Sequence, residues 1–217
     1  AHGIDRNMLA QMVKFGHATP LDGGPIPPGH WAHPGLEIYP EQNIGKAKSL
    51  LDEAGYSNGF DTQLIVLSEN TGQKNAAMII KQQLQGLGIN VEIRALESSV
   101  YFEKLGSQDF EMTVIGWVGF VDPDEFLYNI FHTGEQWNQQ AYSNKEVDKL
   151  LEEGRTTMNT EKRKEIYKEA IELIVKDAPM AFLYVNDQSS GYLERVKNFD
   201  VNPTKSTISL EETWLAD

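Results

Sequence analysis

Between residues 62 and 95 the spacing of apolar residues changes period twice, and this switch constrains the fold more than any other feature of the chain. The stretch Thr62 to Leu67 contains the continuous apolar run Leu64-Ile65-Val66-Leu67, which suits a strand buried on both faces. Ala76, Ala77, Ile79, Ile80, Leu84 and Leu87 then recur at helical spacing, Gly88 is placed to end that stripe, and Val91, Ile93 and Ala95 alternate. A strand, a helix and a strand joined by tight connections form a right-handed parallel crossover. The fold class predicted from this unit is α/β, a mixed sheet with flanking helices.

The flanking sequence is read against that unit. A short helix is predicted from Asp5 to Phe15. From Gly16 to Pro40 lie six of the nine prolines, mixed with Gly23, Gly24, Gly29 and Gly35, a density that forbids regular ladders. Leu21, Ile26, Trp31, Leu36 and Tyr39 make the same stretch too apolar for a free linker, so an ordered loop packed on a body is expected. Ile44, Ala47, Leu50, Leu51 and Ala54 share one helical face, closed by a left-handed cap at Gly55. Ser98 or Ser99 is expected to cap a short helix, and Phe110, Met112 and Val114 to alternate in a third strand ending at Gly116-Trp117. Pro123 opens a further helix, Ser143-Asn144-Lys145-Glu146 reads as a capping box, and Thr160 opens a longer helix stopped by Pro179. Met180 to Val185 reads as a strand. The expected division is residues 1–40, a helix and a Pro/Gly-rich loop, then 41–192, the α/β lobe, then 193–217, a tail of weak periodicity.

Composition removes several classes of function. The chain carries 32 acidic and 19 basic residues, a formal net charge of −13, with the basic residues scattered, so nucleic acid is not an expected partner. It has no cysteine, which excludes a disulfide framework, a thiolate nucleophile and a zinc-thiolate site. Its longest apolar runs fall far short of the roughly 20 residues that span a bilayer, and its first residues lack the pattern of a signal peptide.

The stretch from Gly116 to Phe126 is the most informative for function. An alternating strand ends there in a Trp, two glycines and an aromatic before a helix begins, and ligands in α/β sheets bind where strands end and helices begin. Asp122 before Pro123 has two readings, an N-cap or an anion facing a ligand, and Trp117 likewise belongs to the core or to a pocket. An enzymatic reading takes Asp122 with Asp124 or Glu125 as an acid-base pair of an acidic hydrolase, although first-turn acids are also favoured by the helix dipole. No G-x-S-x-G, phosphate-cradling or H-E-x-x-H pattern accompanies them. His30 and His33, with Glu37, would suit a transition metal if the loop folded back, or would be surface hydrogen-bonding groups. The loop Gln136 to Tyr142, rich in amides and aromatics, reads as a small-molecule contact surface or an ordinary loop. The Lys/Glu alternation from Glu161 to Glu172 reads as a solvated helix face.

Taken in order, several strings resemble the extracytoplasmic solute-binding proteins of peptide and nickel ABC importers (family 5). They are Ile4-Asp5-Arg6, Gly16 to Pro20 with Pro25 to Gly29, Ala47 to Phe60, and Leu84 to Ile89. Gly116-Trp117 through Asp122-Pro123, then Asn138 with Tyr142-Ser143-Asn144 and Asp148-Lys149-Leu150-Leu151, and Asp177-Ala178-Pro179 through Leu183-Tyr184 follow. The resemblance implies the C-terminal lobe of a two-lobed, extracytoplasmic type II receptor, whose tail returns toward a first lobe encoded upstream. It implies capture of a peptide-like solute between lobes and delivery to a membrane permease, with neither catalysis nor cofactor nor resident metal; sugar or metal-chelate receptors occur in the same family. In peptide-binding members an Asp between the tryptophan and the Asp-Pro pair holds the peptide ammonium. Here that interval, Val118 to Val121, contains none. The ligand-facing set that follows from the resemblance is Trp117, Gly119, Phe120, Asp122, Asn138 and Glu69, the last two acids being candidate anions for a cationic group.

Overall fold

The computed structural model describes residues 1–39, 41–117, 121–204 and 206–217. Helix α1 (Arg6–Lys14) is capped by the Asp5 carboxylate, which accepts from the Met8 N–H at 2.8 Å, and it ends in a left-handed Phe15. Against the expectation of no ladder from Gly16 to Pro40, strand β1 (Ala18–Pro20) forms at the start of that stretch, ahead of most of its prolines, and α2 (Ile44–Glu53) follows the loop. The predicted crossover is β2 (Asp61–Leu67), α3 (Thr71–Gln85) and β3 (Asn90–Leu96), paired in parallel from Asp61↔Asn90 to Leu67↔Leu96. Helix α4 (Ser98–Gly106) leads to β4 (Met112–Thr113), which joins the other side of β2, also in parallel. The remaining elements are α5 (Pro123–Phe131), α6 (Lys145–Thr156), α7 (Thr160–Asp177), β5 (Tyr184–Asn186), β6 (Val196–Lys197), a 3-10 turn (Thr207–Leu210) and β7 (Trp214–Leu215).

Parallel and antiparallel pairings both occur, in separate sheets. The order β3-β2-β4 forms the parallel sheet, while β1 with β5, and β6 with β7, form antiparallel pairs. Strand β2 is central and, as the apolar run predicts, buried on both faces. Leu64 and Val66 pack with Leu9, Val13, Ala76, Ala77 and Ile80 under α1 and α3, and Ile65 points the other way onto Tyr101 and Leu105 of α4. A third cluster joins α5, α6 and α7 around Phe131, Leu151, Ile171 and Ile174, and the Pro-rich loop contributes Ile26 and Tyr39 to it. That loop is packed, not free: the Tyr39 hydroxyl donates to the Val175 carbonyl at 3.0 Å.

Several local expectations are corrected. Glu97, not a serine, occupies the N-cap of α4 and makes no side-chain cap bond, because Ser98 is already helical. The cap of α6 is Asn144, whose side-chain Oδ1 accepts from the Glu146 and Val147 N–H groups, while Ser143 Oγ is held by Thr133. Leu50 is exposed, since α2 lies at the rim of its cluster and buries only Ala47 fully. The third strand pairs only at Met112 and Thr113, and the strand expected from Met180 begins at Tyr184, because Ala178 is left-handed and Pro179 follows it.

Candidate functional site

Because β2, β3 and β4 run in parallel, their carboxyl ends share one edge, and the segments leaving them are Ser68-Glu69-Asn70, Glu97 and Val114 to Trp117. The first of these is braced from below. Asn70 Oδ1 accepts from the Gln73 N–H at 3.0 Å, and the Gln73 side chain turns back to accept from the Leu67 N–H at 2.8 Å. Glu69 projects from this brace into solvent. Its Oε2 accepts from Ser68 Oγ at 3.0 Å, and it has no ion-pair partner among the described residues.

Trp117 is half-buried against the α5–α7 cluster, edge-on to Phe126 at 6.3 Å and to Trp137 at 5.4 Å between ring centroids. Trp137 is 44% exposed, so this corner presents a flat aromatic surface. Gly119 and Phe120 lie outside the described residues.

Asp122 takes the structural reading. It caps α5 through the Asp124 N–H at 2.9 Å, and Arg163 grips both of its oxygens, at 2.6 and 2.7 Å. Partial burial pushes its carboxyl up, but the hydrogen bonds from Arg163 and the Asp124 N–H outweigh this and hold it below the usual carboxylate range. Arg163 also donates to the Gly154 carbonyl at 2.8 Å and to the Tyr167 hydroxyl at 3.0 Å, so the helix face expected to be merely solvated supplies a tertiary clamp. The pair lines a shallow hollow of about 380 Å³ together with Trp31, Arg155 and Met158. A carboxylate neutralised in this way is not the free anion that a cationic solute needs.

The hydrolase pair fares no better. Arg155 chelates Asp124 with contacts of 2.9 to 3.1 Å and lies over the Tyr128 ring, and Glu125 Oε2 accepts from the Val121 N–H at 3.1 Å. Each acid has its partner, and the pKa of Asp122 is shifted the wrong way for a general acid. The imidazoles are used by the loop. His30 accepts from the Ala32 N–H on Nδ1 and so donates from Nε2 to the Val121 carbonyl, and His33 Nδ1 bonds the Ile26 carbonyl. No group of three or more His, Asp or Glu side chains is set to hold a metal among the described residues.

Asn138, expected to face a ligand, is 4% exposed and faces its own loop. Its amide donates to the His132 carbonyl at 3.0 Å and to the Tyr142 carbonyl at 2.7 Å, while its oxygen accepts from the Tyr142 N–H at 2.9 Å. The hydroxyl of Tyr142 and the amide of Asn144 both donate to Asp177 at the end of α7, at 2.7 and 2.8 Å. Burial and that carboxylate raise the Tyr142 phenol well above its ordinary range.

The fold is thus an α/β lobe with a parallel sheet, whose carboxyl edge carries Glu69, without an ion-pair partner among the described residues, and half-buried Trp117 beside exposed Trp137. The family model of bacterial extracellular solute-binding proteins, family 5 Middle, matches residues 1–138, and the chain belongs to that family. The oligopeptide-binding protein AppA of Bacillus subtilis is 28% identical over 232 residues, which cover 98% of this chain and 42% of AppA. Heme-binding protein A of Haemophilus influenzae is 27% identical over 214 residues, covering 92% of this chain and 39% of its own length. The periplasmic binding protein DppA from Helicobacter pylori, solved in complex with the peptide STSA, superposes with a TM-score of 0.82 at 28% identity, covering 99% of this chain and 42% of DppA. The chain thus spans about two fifths of the length of these relatives. No helix among the described residues is long and apolar enough to cross a membrane.

Proposed function

We propose that this chain is one lobe of an extracytoplasmic receptor that captures a peptide-like solute between two lobes and delivers it to an ABC permease. The observation that carries the reading is the sheet edge, where Glu69 stands exposed and half-buried Trp117 has exposed Trp137 beside it, half of a site, in a chain two fifths the length of its relatives. The likeness to the oligopeptide-binding protein AppA and to DppA with its bound peptide favours a peptide, and the likeness to heme-binding protein A leaves room for other solutes.

The mechanism is capture without chemistry. Solute bridges the lobes, contacts available only in the closed form stabilise that form, and the closed receptor docks on the permease. In this lobe Trp117 and Trp137 supply an apolar wall and Glu69 the anion for a cationic group. Asp122, held by Arg163, supports the start of α5, and Gly119 and Phe120 belong to the wall on the sequence pattern alone.

Native mass spectrometry on the two-lobed polypeptide, purified gently beside this chain, tests the proposal. A bound mass that fits a peptide on the long form and none on this chain supports it. A ligand retained by the short chain would place the whole site within one lobe and overturn the shared cleft.

A further inference from the structure

We infer that Asn138, backed by Asp177, is a positioning residue that fixes Trp137 against Trp117 and thereby shapes the apolar wall of the solute site; this rests on the receptor reading above. The segment joining α5 to α6 has no regular structure and contains two left-handed residues, Gly134 and Ala141. Such a segment wanders unless its backbone groups find partners. Gln140 Nε2 ties it to the Ile130 carbonyl at 2.7 Å and Asp148 holds Thr133 at its start, while the buried amide of Asn138 joins its two ends. Both N–H groups of Asn138 go to carbonyls at opposite ends of the loop, His132 and Tyr142, and its oxygen takes the Tyr142 N–H.

The staple is tied outward on two sides. Gln108, beyond the end of α4, donates to the Asn138 carbonyl at 3.2 Å, and Asp177 holds Tyr142 and Asn144. Trp137 is 44% exposed, so much of the residue lies outside the packed interior. Its place beside Trp117 is inherited from the backbone of the residue that the staple pins. The arrangement demands an amide: the near-isosteric carboxylate of an Asn138→Asp variant has no N–H to give and would face two carbonyl oxygens.

The chain has four tryptophans, so 5-fluorotryptophan labelling yields four 19F resonances, assignable by single Trp→Phe changes. Trp137→Phe is expected to move the Trp117 resonance. Asn138→Asp is expected to move the Trp117 and Trp137 resonances while those of Trp31 and Trp214 stay, a pattern that general destabilisation does not produce. Tyr142→Phe keeps the ring against Phe131, loses only the tie to Asp177, and is expected to shift the same two resonances less. A folded Asn138→Asp protein with all four resonances unmoved overturns the inference; if that variant does not fold, unmoved resonances in Tyr142→Phe do so.

In the two-lobed polypeptide, affinity for the probe peptide Ala-Phe-Phe-Ala is expected to fall about tenfold in Trp137→Ala and in Asn138→Asp, with little further loss in the double variant. Unchanged affinity in Asn138→Asp despite displaced resonances overturns the role in the wall. If the parent captures no peptide at all, it is the receptor reading that fails, and the resonances of this chain still decide whether Asn138 holds Trp137.

Discussion

At the scale of single residues, the Asp122–Arg163 pair shows how one carboxylate is withdrawn from solution chemistry. Two arginine N–H groups and a helix N–H converge on it, and its side chain is 39% exposed, so solvent screens part of the gain. Arg163→Met is expected to cost about 1 to 3 kcal/mol, measured by urea unfolding at pH 7. The sign of the pH dependence follows from the depressed folded pKa. The contribution of Asp122 is complete above its unfolded value of 3.8 and is lost as pH falls through the lower folded value. Parent stability should therefore drop below about pH 4, and the Arg163→Met protein should lose less over the same interval.

How far these roles were legible depends on the range of the interaction. The cap function of Asp122 could be read from its place before Pro123, because capping is decided within three residues. Its partner could not. Arg163 sits in a run of alternating charge that looks the same whether it faces water or a carboxylate 41 residues away. Asn138 was found through the motif that carries it but given the wrong role, since an amide that orients a ligand and one that staples a loop have the same sequence signature.

At the scale of elements, the turns around the crossover are more demanding than the strands they join. Gly59 has φ +74, and a Cβ added there would lie 1.9 Å from the Gly88 carbonyl oxygen, so the start of β2 and the start of β3 approach backbone to backbone. Gly55 has φ +84 and nothing within 4 Å of its missing Cβ. Gly55→Ala should cost about 1 to 2 kcal/mol from the left-handed conformation alone, and Gly59→Ala clearly more, because the backbone must also part. Thermal unfolding of the two variants gives the difference. Asn144→Ala, which removes the cap of α6 and its tie to Asp177, should cost about 1 to 2 kcal/mol in the same assay. The crossover itself was legible because periodicity and turn residues agree over many positions. The third strand and the one near Tyr184 were read too long, since alternation signals burial and does not show where a neighbouring strand supplies hydrogen bonds.

At the scale of the whole molecule, the receptor reading makes a quantitative demand. On that reading half the contacts and the enclosure lie outside this chain, so titration calorimetry with Ala-Phe-Phe-Ala should give an affinity weaker than micromolar here and a tighter one for the two-lobed polypeptide, a gain of more than 1.4 kcal/mol if the ratio exceeds tenfold. Binding by this chain at micromolar strength or better would contradict it.

The pairing of β1 with β5 also has a consequence for how the molecule assembles. Ala18 meets Asn186 and Pro20 meets Tyr184, so three residues near one end of the sequence are stitched to three near the other. Closing so long a loop costs chain entropy that the short stitch scarcely repays, whereas β2, α3 and β3 are contiguous and close small loops. Folding should therefore nucleate in the crossover and end with the stitch. Native-state hydrogen exchange should show the reverse order, with the amides of the β1–β5 pair opening well before those of Leu64, Ile65 and Val66. During synthesis the crossover would thus be complete before β5, the strand that pairs with β1, had been made.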